Sequence, residues 1–307
     1  MDDVSVDPRF IQLVRKLVPD AHLLRAWPLM GGISAQVTAL EIRLPDDTLK
    51  KWVIRQQGDY GYRVDPGGIA KEAHAMVCLK DAGVAVPGLI YQDDTRTLLD
   101  FPFLIMEYID GEAQFAPPDL PRYLEQFTQQ LVRIHIVDAS LPALQPLPNL
   151  HDAYTLKVQN QPATLDDTLQ EGRIRQALAA FWPFSRMNAV NLLHGDYWPG
   201  NVLWRDEMLA AVIDFEDVAL GDPLADLSNS RIEVLWAFGT EAMRDFTRLY
   251  QALRPELDYA NLAQWDLFAA LRPAGQISEW AWNADDERHM REVHAWFVAD
   301  IFERLGQ

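Results

Sequence analysis

Cysteine is almost missing from this chain of 307 residues: Cys78 is the single one. That excludes an intramolecular disulfide and a cysteine-based zinc site. The seven histidines form no His-x-His and no His-Glu-x-x-His pair, so a histidine-rich metal site finds little support. Basic residues are also scarce, 27 Lys and Arg against 45 Asp and Glu, for a net charge of −18. A chain this acidic makes a poor nucleic-acid binder, because that affinity comes largely from Lys and Arg displacing counterions. Anionic membrane surfaces are disfavoured on the same grounds. Long apolar runs are missing too: none approaches the roughly 20 residues that span a bilayer. The acidic start MDDVSVDPRF lacks the basic region and apolar run of a secretory signal. The expectation is a cytoplasmic protein. There is no internal repeat, low-complexity tract or heptad run, and the oligomeric state is not legible.

What is present describes a folded chain. At 49% hydrophobic and 23% charged, the composition is globular. The length exceeds one ordinary core and predicts two lobes. Residues 1–110 hold 16 acids and 12 bases, net −4, whereas residues 111–307 hold 29 acids and 15 bases, net −14. The second region's acidity either serves solubility or lines a site for a cationic ligand.

The first third reads as mixed α and β. ALEIRL and KKWVIRQQ are β-branched and aromatic runs joined by the turn residues PDDT, a hairpin signal. From Ile69 to Asp81 the apolar spacing is helical, with Gly83 as a C-cap. VAVPGLIYQD and TLLDFPFLIMEYI predict further strands, and the Gly- and Pro-rich IDGEAQFAPPDLP marks a lobe boundary, placed at 108/109. Tyr123 to Ile136 is helical in pattern, and helical segments dominate beyond it. The fold class is therefore α+β: a small β-rich N-terminal lobe, 1–108, and a larger, mostly helical C-terminal lobe, 109–307. Cys78 reads as a small core residue.

The densest chemistry lies in VNLLHGDYWPGNVLWRDEMLAAVIDFEDVALGDPLADL. An apolar entry delivers His194, Gly195 and Asp196. Asn201 follows five residues after Asp196, and Asp214 sits in the apolar run AVIDF. The runs NVLW and LAAVIDF predict a hairpin closed near Asp206–Glu207, bringing Asn201 and Asp214 to one end. Their hard oxygen ligands suit Mg²⁺ carrying nucleotide phosphates. Asp196 stands apart in the loop, able to receive or orient a hydroxyl, and this division of labour is what phosphoryl transfer requires.

H-G-D-x-x-x-x-N, then I-D-F and G-D-P-x-x-D-L, resembles the signature of the aminoglycoside phosphotransferase and choline kinase family, whose members share the protein-kinase-like fold. The ordered match of His194, Asp196, Asn201, Asp214, Asp222 and Asp226 carries the resemblance, which spans roughly residues 25–230. It implies that Asp226 braces the catalytic loop, or caps a helix. Asp222 reads equally as a turn former. His135 resembles the family's Leu-His helix ending, although a favourable interaction with the helix dipole is the more economical account. His194 reads as a loop organiser.

A kinase-like first lobe needs a Gly-rich turn, a strand cation and a helix carboxylate. Gly31, Gly32 and Ser34 fit the turn, with a simple strand-entry turn as the equal alternative. Arg55 in WVIR stands where protein kinases place lysine, and its fork suits phosphate. Lys51 is the fallback cation. Glu72 is the expected partner of Arg55, against a surface role. PFLIMEYIDG resembles the hinge between lobes, where backbone groups near Glu107, Tyr108 and Ile109 would receive adenine.

The resemblance implies transfer of the γ-phosphoryl group of ATP, with GTP as the alternative, to a hydroxyl of a small acceptor. Asp196 would act on that hydroxyl and Asn201 with Asp214 would hold Mg²⁺. The acidic second lobe permits a cationic acceptor such as an aminoglycoside or amino alcohol. Trp280 and Trp282 in SEWAWNADDE could add cation–π contacts, though Trp at such spacing is more often core. Macrolides, sugars, homoserine-like amino acids and other metabolites stay open. The competing reading is a nucleotide-binding pseudokinase or scaffold. A protein kinase fits poorly, because IDFEDVALGDP runs on without D-F-G or A-P-E.

Overall fold

The computed structural model describes residues 7–29 and 35–306, so the turn expected at Gly31, Gly32 and Ser34 lies outside the described residues. The chain forms two compact units, Met1–Asp110 and Gly111–Gln307, which divide two residues beyond the 108/109 boundary expected from composition.

In the first unit, helix α1 (Pro8–Leu17) starts where the Asp7 carboxylate accepts the Arg9 N–H at 2.9 Å and Pro8 takes the first helical position. Five antiparallel strands follow: β1 (His22–Pro28), β2 (Ala35–Arg43), β3 (Leu49–Gln57), β4 (Leu89–Asp93) and β5 (Phe103–Glu107). Their order in the sheet is β1-β2-β3-β5-β4. The anticipated hairpin is β2–β3, in register from Ala35 opposite Gln57 to Arg43 opposite Leu49. Period-two alternation sends Leu40, Ile42, Trp52, Ile54, Phe103 and Ile105 into one core with Leu13 and Val14 of α1. Arg55 is thereby turned to the opposite face. Short helix α2 (Asp59–Val64) leads to α3 (Gly68–Asp81), which buries Ile69, Glu72, Ala73 and Met76. Gly83, at φ 79°, ends α3: its N–H donates to Lys80 O and the Val84 N–H to Leu79 O. That paired closure needs a left-handed residue, which glycine supplies without a Cβ penalty. Cys78 is half-buried on α3 and not a core residue, because the helix turns it away from the buried stripe of Ala75, Met76 and Leu79.

The second unit contains α4 (Leu120–His135), α5 (Leu150–Gln159), α6 (Glu171–Phe181), β6 (Asn191–Leu193), β7 (Val202–Arg205), β8 (Met208–Val212) and β9 (Ala219–Gly221). It continues with α7 (Leu224–Leu253), α8 (Leu262–Ala270), α9 (Ile277–Trp280) and α10 (Ala284–Arg304). Helix α7 is broken at Gly239 by non-helical backbone. The expected β7–β8 hairpin closes through Asp206 and Glu207, both left-handed, the geometry of a tight two-residue turn. Strands β6 and β9 also pair, Asn191 opposite Gly221; three residues each are too short for a periodic signal. The Gly- and Pro-rich segment after Asp110 is tied down, since Glu112 and Trp204 exchange backbone bonds of 3.0 and 2.9 Å. Aromatic packing fills the unit, with Phe127 against Tyr123, Tyr197 and Phe246, and Trp265 fully buried beside Phe184 and Phe268. Trp280 joins the small core of Leu169, Ile277 and Met290. Trp282 does not: it is 74% exposed, edge-on to Phe115. Among the described residues, no helix is long and apolar enough to cross a membrane.

Candidate active site

The loop after β6 is held by a carboxylate that comes from the first turn of α7. Asp226 accepts the His194 N–H at 2.6 Å and the Gly195 N–H at 3.0 Å. It also accepts a hydrogen bond from His135 Nε2 at 3.1 Å, and the Tyr250 hydroxyl sits 2.6 Å from the other His135 nitrogen. Burial alone would raise the Asp226 carboxyl; the His135 bond, the nearby imidazoles and the His194 N–H hold it below the usual range instead. His135, the last residue of α4, is therefore also a buried link between that helix and the loop. Gly195 is required twice over. Its φ is 85°, and an added Cβ would collide with the Asp217 carbonyl oxygen.

His194 is fully buried, and burial pushes its imidazole down towards the neutral form. Its Nε2 donates to Ile213 O at 3.1 Å while Nδ1 accepts the Asp196 N–H at 3.2 Å. Both ring nitrogens are occupied, which suits an organiser of the loop. Asp222 is likewise more than a turn former. It accepts the Asn188 N–H at 2.8 Å and the Leu224 N–H at 2.9 Å, clipping the start of α7 to the segment before β6.

Asn201 and Asp196 meet directly: Asn201 Nδ2 donates to Asp196 O at 2.9 Å and to Asp196 Oδ2 at 3.3 Å. The Ile213 N–H donates to Asn201 O at 2.9 Å, which places Asp214 beside Asn201 at the hairpin's open end. Asp214 has φ 66°, a backbone conformation uncommon outside glycine and enriched at functional sites. The Asn201 amide nitrogen is committed to Asp196, so its side-chain oxygen is the group left to act as a ligand. Among the described residues no cluster of three His, Cys, Asp or Glu could cage a metal. That is compatible with Mg²⁺, which takes one or two protein oxygens and completes its shell with phosphates and water. The Asn201 and Asp214 oxygens fit that requirement.

Sequence reading missed Arg272. Its Nη2 donates to Asp196 Oδ1 at 2.8 Å, across 76 residues of chain. Burial works against its charge, but the Asp196 carboxylate is the leading cause that restores it. The packing around Glu233 pushes that carboxyl up to about 8. Lys157 on α5 is driven the other way, down to about 8, by burial and by the Arg272 and Arg175 charges. The only local signal was an arginine closing the apolar helix α8.

In the first unit, Arg55 Nη1 lies 2.8 Å from Glu72 Oε2, with both side chains almost fully buried. Lys51 instead reaches Asp110 at 3.5 Å and stacks 4.9 Å above the Tyr108 ring. At the expected hinge, the Glu107 N–H donates to Gly88 O at 2.9 Å and the Tyr108 N–H to Lys51 O at 3.3 Å. Ile109 lies past these last sheet bonds.

The model of the Phosphotransferase enzyme family matches residues 32–265. The GDP and kanamycin complex of APH(2")-IIia is similar over 96% of this chain and 99% of that one, with a TM-score of 0.67 and 19% identity. A thermostable mutant of aminoglycoside phosphotransferase APH(4)-Ia in ternary complex with ADP and hygromycin B covers 94% and 97%, with a TM-score of 0.65 and 16% identity. At such identities the likeness concerns the fold, which is protein-kinase-like. Among curated sequences, acyl-CoA dehydrogenase family member 10 of Mus musculus is 29% identical over 204 residues, 62% of this chain. The match spans only 18% of that protein's length. The family model covers well over half of the chain and the fold agrees with it: the chain belongs to the phosphotransferase enzyme family.

Proposed function

We propose that this phosphotransferase moves the γ-phosphoryl group of ATP, or of GTP, to a hydroxyl of a small molecule. The observation that carries the reading is the Asp196–Asn201 contact on a loop clamped by Asp226. Asp196 receives the hydroxyl proton, the acceptor oxygen forms the new bond to γ-phosphorus, and the bond to the β-bridging oxygen breaks, releasing nucleoside diphosphate. Asn201 and Asp214 hold Mg²⁺, which neutralises phosphate charge when bound. Arg55, steadied by Glu72, positions the nucleotide phosphates. The backbone at Glu107 and Ile109 receives the base. Support also comes from the two similar structures, which hold GDP with kanamycin and ADP with hygromycin B.

The test is acceptor-dependent formation of nucleoside diphosphate, with ATP and with GTP, with and without Mg²⁺. The panel comprises aminoglycosides, amino alcohols, macrolides and small hydroxylated metabolites. Mg²⁺-dependent transfer to one acceptor class is expected. Nucleotide binding without transfer to any acceptor would favour the scaffold reading, and failure to bind nucleotide would defeat both.

A further inference from the structure

The Asp196 carboxylate is engaged on both oxygens. Oδ1 accepts from Arg272 Nη2 at 2.8 Å and Oδ2 from Asn201 Nδ2 at 3.3 Å. The two contacts are unequal. The Asn201 contact is long for an N–H···O bond, and the same nitrogen makes a shorter one, 2.9 Å, to the Asp196 backbone oxygen. The Arg272 bond is short and charge-assisted, so it dominates the orientation of the carboxylate. Arg272 is itself anchored independently of the loop. It follows α8 and donates its N–H to Ala269 O at 3.1 Å. The neighbouring Ala270 carbonyl accepts from His294 Nε2 of α10 at 2.9 Å.

The loop backbone is held without this bond. Asp226 takes the His194 and Gly195 N–H groups, the Ser230 hydroxyl donates to Tyr197 O at 2.7 Å, and the Tyr197 hydroxyl donates to Phe127 O at 2.8 Å. What Arg272 adds to that frame is the direction of one side chain. Arg231, in the same unit, shows the contrasting case of a structural arginine. It is buried, grips both oxygens of Asp266 at 3.1 and 3.2 Å, and gives its third nitrogen to Thr247, tying α7 to α8. Arg272 is half-buried and makes a single side-chain hydrogen bond among the described residues, to Asp196. Its Nη1 is buried without a partner among them. A buried donor left unsatisfied lowers stability, so tying the fold together is a poor account of this side chain.

We propose that Arg272 is a positioning residue for phosphoryl transfer: its guanidinium fixes the Asp196 carboxylate in the orientation that meets the acceptor hydroxyl. The inference rests on the kinase reading for the reaction, but not for the hold of Arg272 on the carboxylate. Each carboxylate oxygen has two lone-pair sites. Arg272 and Asn201 occupy one on each, so the group is held from two sides and keeps capacity for the incoming proton. A general base must lie within about 2.6–3.2 Å of the group it deprotonates, and a freely turning carboxylate spends little time there.

Arg272→Met keeps much of the packing of the stem and removes the guanidinium. In acceptor-dependent transfer it should lower kcat about 100-fold, with acceptor KM and nucleotide Kd within about 3-fold of the unmodified protein. Arg272→Lys keeps the charge without the fork and should fall between the two. Millimolar guanidinium should raise kcat of Arg272→Ala at least about 10-fold by refilling the place of the lost fork. It should do nothing for Arg304→Ala, whose arginine serves Asp266 and Asp300. The double variant Asp196→Asn, Arg272→Met should be no slower than Asp196→Asn alone, because residues acting as a unit are not additive. A KM effect with kcat intact, additive losses in the double variant, or no response to guanidinium overturns the proposal. A crystal structure of Arg272→Met decides without turnover. The bonds from Asp226 to the His194 and Gly195 N–H groups should persist while the Asp196 carboxylate takes a different or a second rotamer; an unmoved carboxylate overturns the proposal. No transfer by the unmodified protein would defeat the kinase reading, whereas normal turnover in Arg272→Met would defeat the positioning role alone.

Discussion

Asp226 lies 2.6 Å from the backbone nitrogen of His194, 32 residues earlier in the chain. Through that bond and its partner at Gly195, the first turn of α7 sets the shape of the loop that carries Asp196. A loop this short cannot hold a reactive carboxylate in one orientation by itself. A buried, depressed carboxylate anchored to His135 supplies the rigidity.

Replacing Asp226 with Asn should cost about 1.5–3 kcal/mol of stability, since hydrogen bonds to a charged acceptor are lost. The pH dependence has a definite sign. The folded carboxyl is depressed below its unfolded value of about 3.9. Its contribution is therefore present above pH 4 and lost as pH falls below it towards the folded value. Denaturant titrations from pH 7 down to 3 should show this loss in the unmodified protein and a shallower one in Asp226→Asn. Parallel slopes would contradict the assignment.

Glu233 predicts the opposite slope. Its folded carboxyl is raised from 4.5 to about 8, so the unfolded state releases this proton first. Stability should fall as pH rises between about 4.5 and 8, and Glu233→Gln should flatten the Tm profile across that window. An unchanged profile would show that Glu233 titrates normally.

Asp196→Asn should lower turnover by roughly 10²–10⁴ while leaving nucleotide affinity intact, as expected for loss of a general base. Steady-state rates and equilibrium nucleotide binding, measured side by side, decide it. Turnover like that of the unmodified protein would remove Asp196 from the reaction.

Arg55 and Glu72 form a buried pair at 2.8 Å. Arg55→Met or Glu72→Gln alone should each destabilise by about 3–5 kcal/mol, because the survivor is a buried charge without this partner. The double variant should cost clearly less than the sum of the singles. Nucleotide affinity should fall in both singles, and additive stabilities would argue against coupling.

Local patterns were readable wherever a few neighbouring residues decide the outcome. The β2–β3 hairpin follows from alternating apolar residues around PDDT, and the end of α3 follows from Gly83. The β7–β8 turn was placed at Asp206–Glu207 for the same reason. The clamp on His135 was not legible, because a histidine at a helix end has a sufficient local explanation in the dipole. Its true partners, Tyr250 and Asp226, are 115 and 91 residues away. Trp280 and Trp282 looked alike in the sequence; a two-residue offset at the end of α9 puts one in a core and the other in solvent.

The sequence alone determined the identity and order of the residues proposed to carry or brace phosphoryl transfer, His194, Asp196, Asn201, Asp214 and Asp226. Their spacing is a local, covalent property of one segment. It also determined the acidity of the second unit, which suggested a cationic acceptor. Only the tertiary structure brought Arg272 against Asp196, 76 residues away in the chain. Net charge sums over a whole surface, but an acceptor responds to the few charges within a Debye length of its site. Those charges come from helices far apart in the chain, so folding, and not composition, decides the sign a ligand meets.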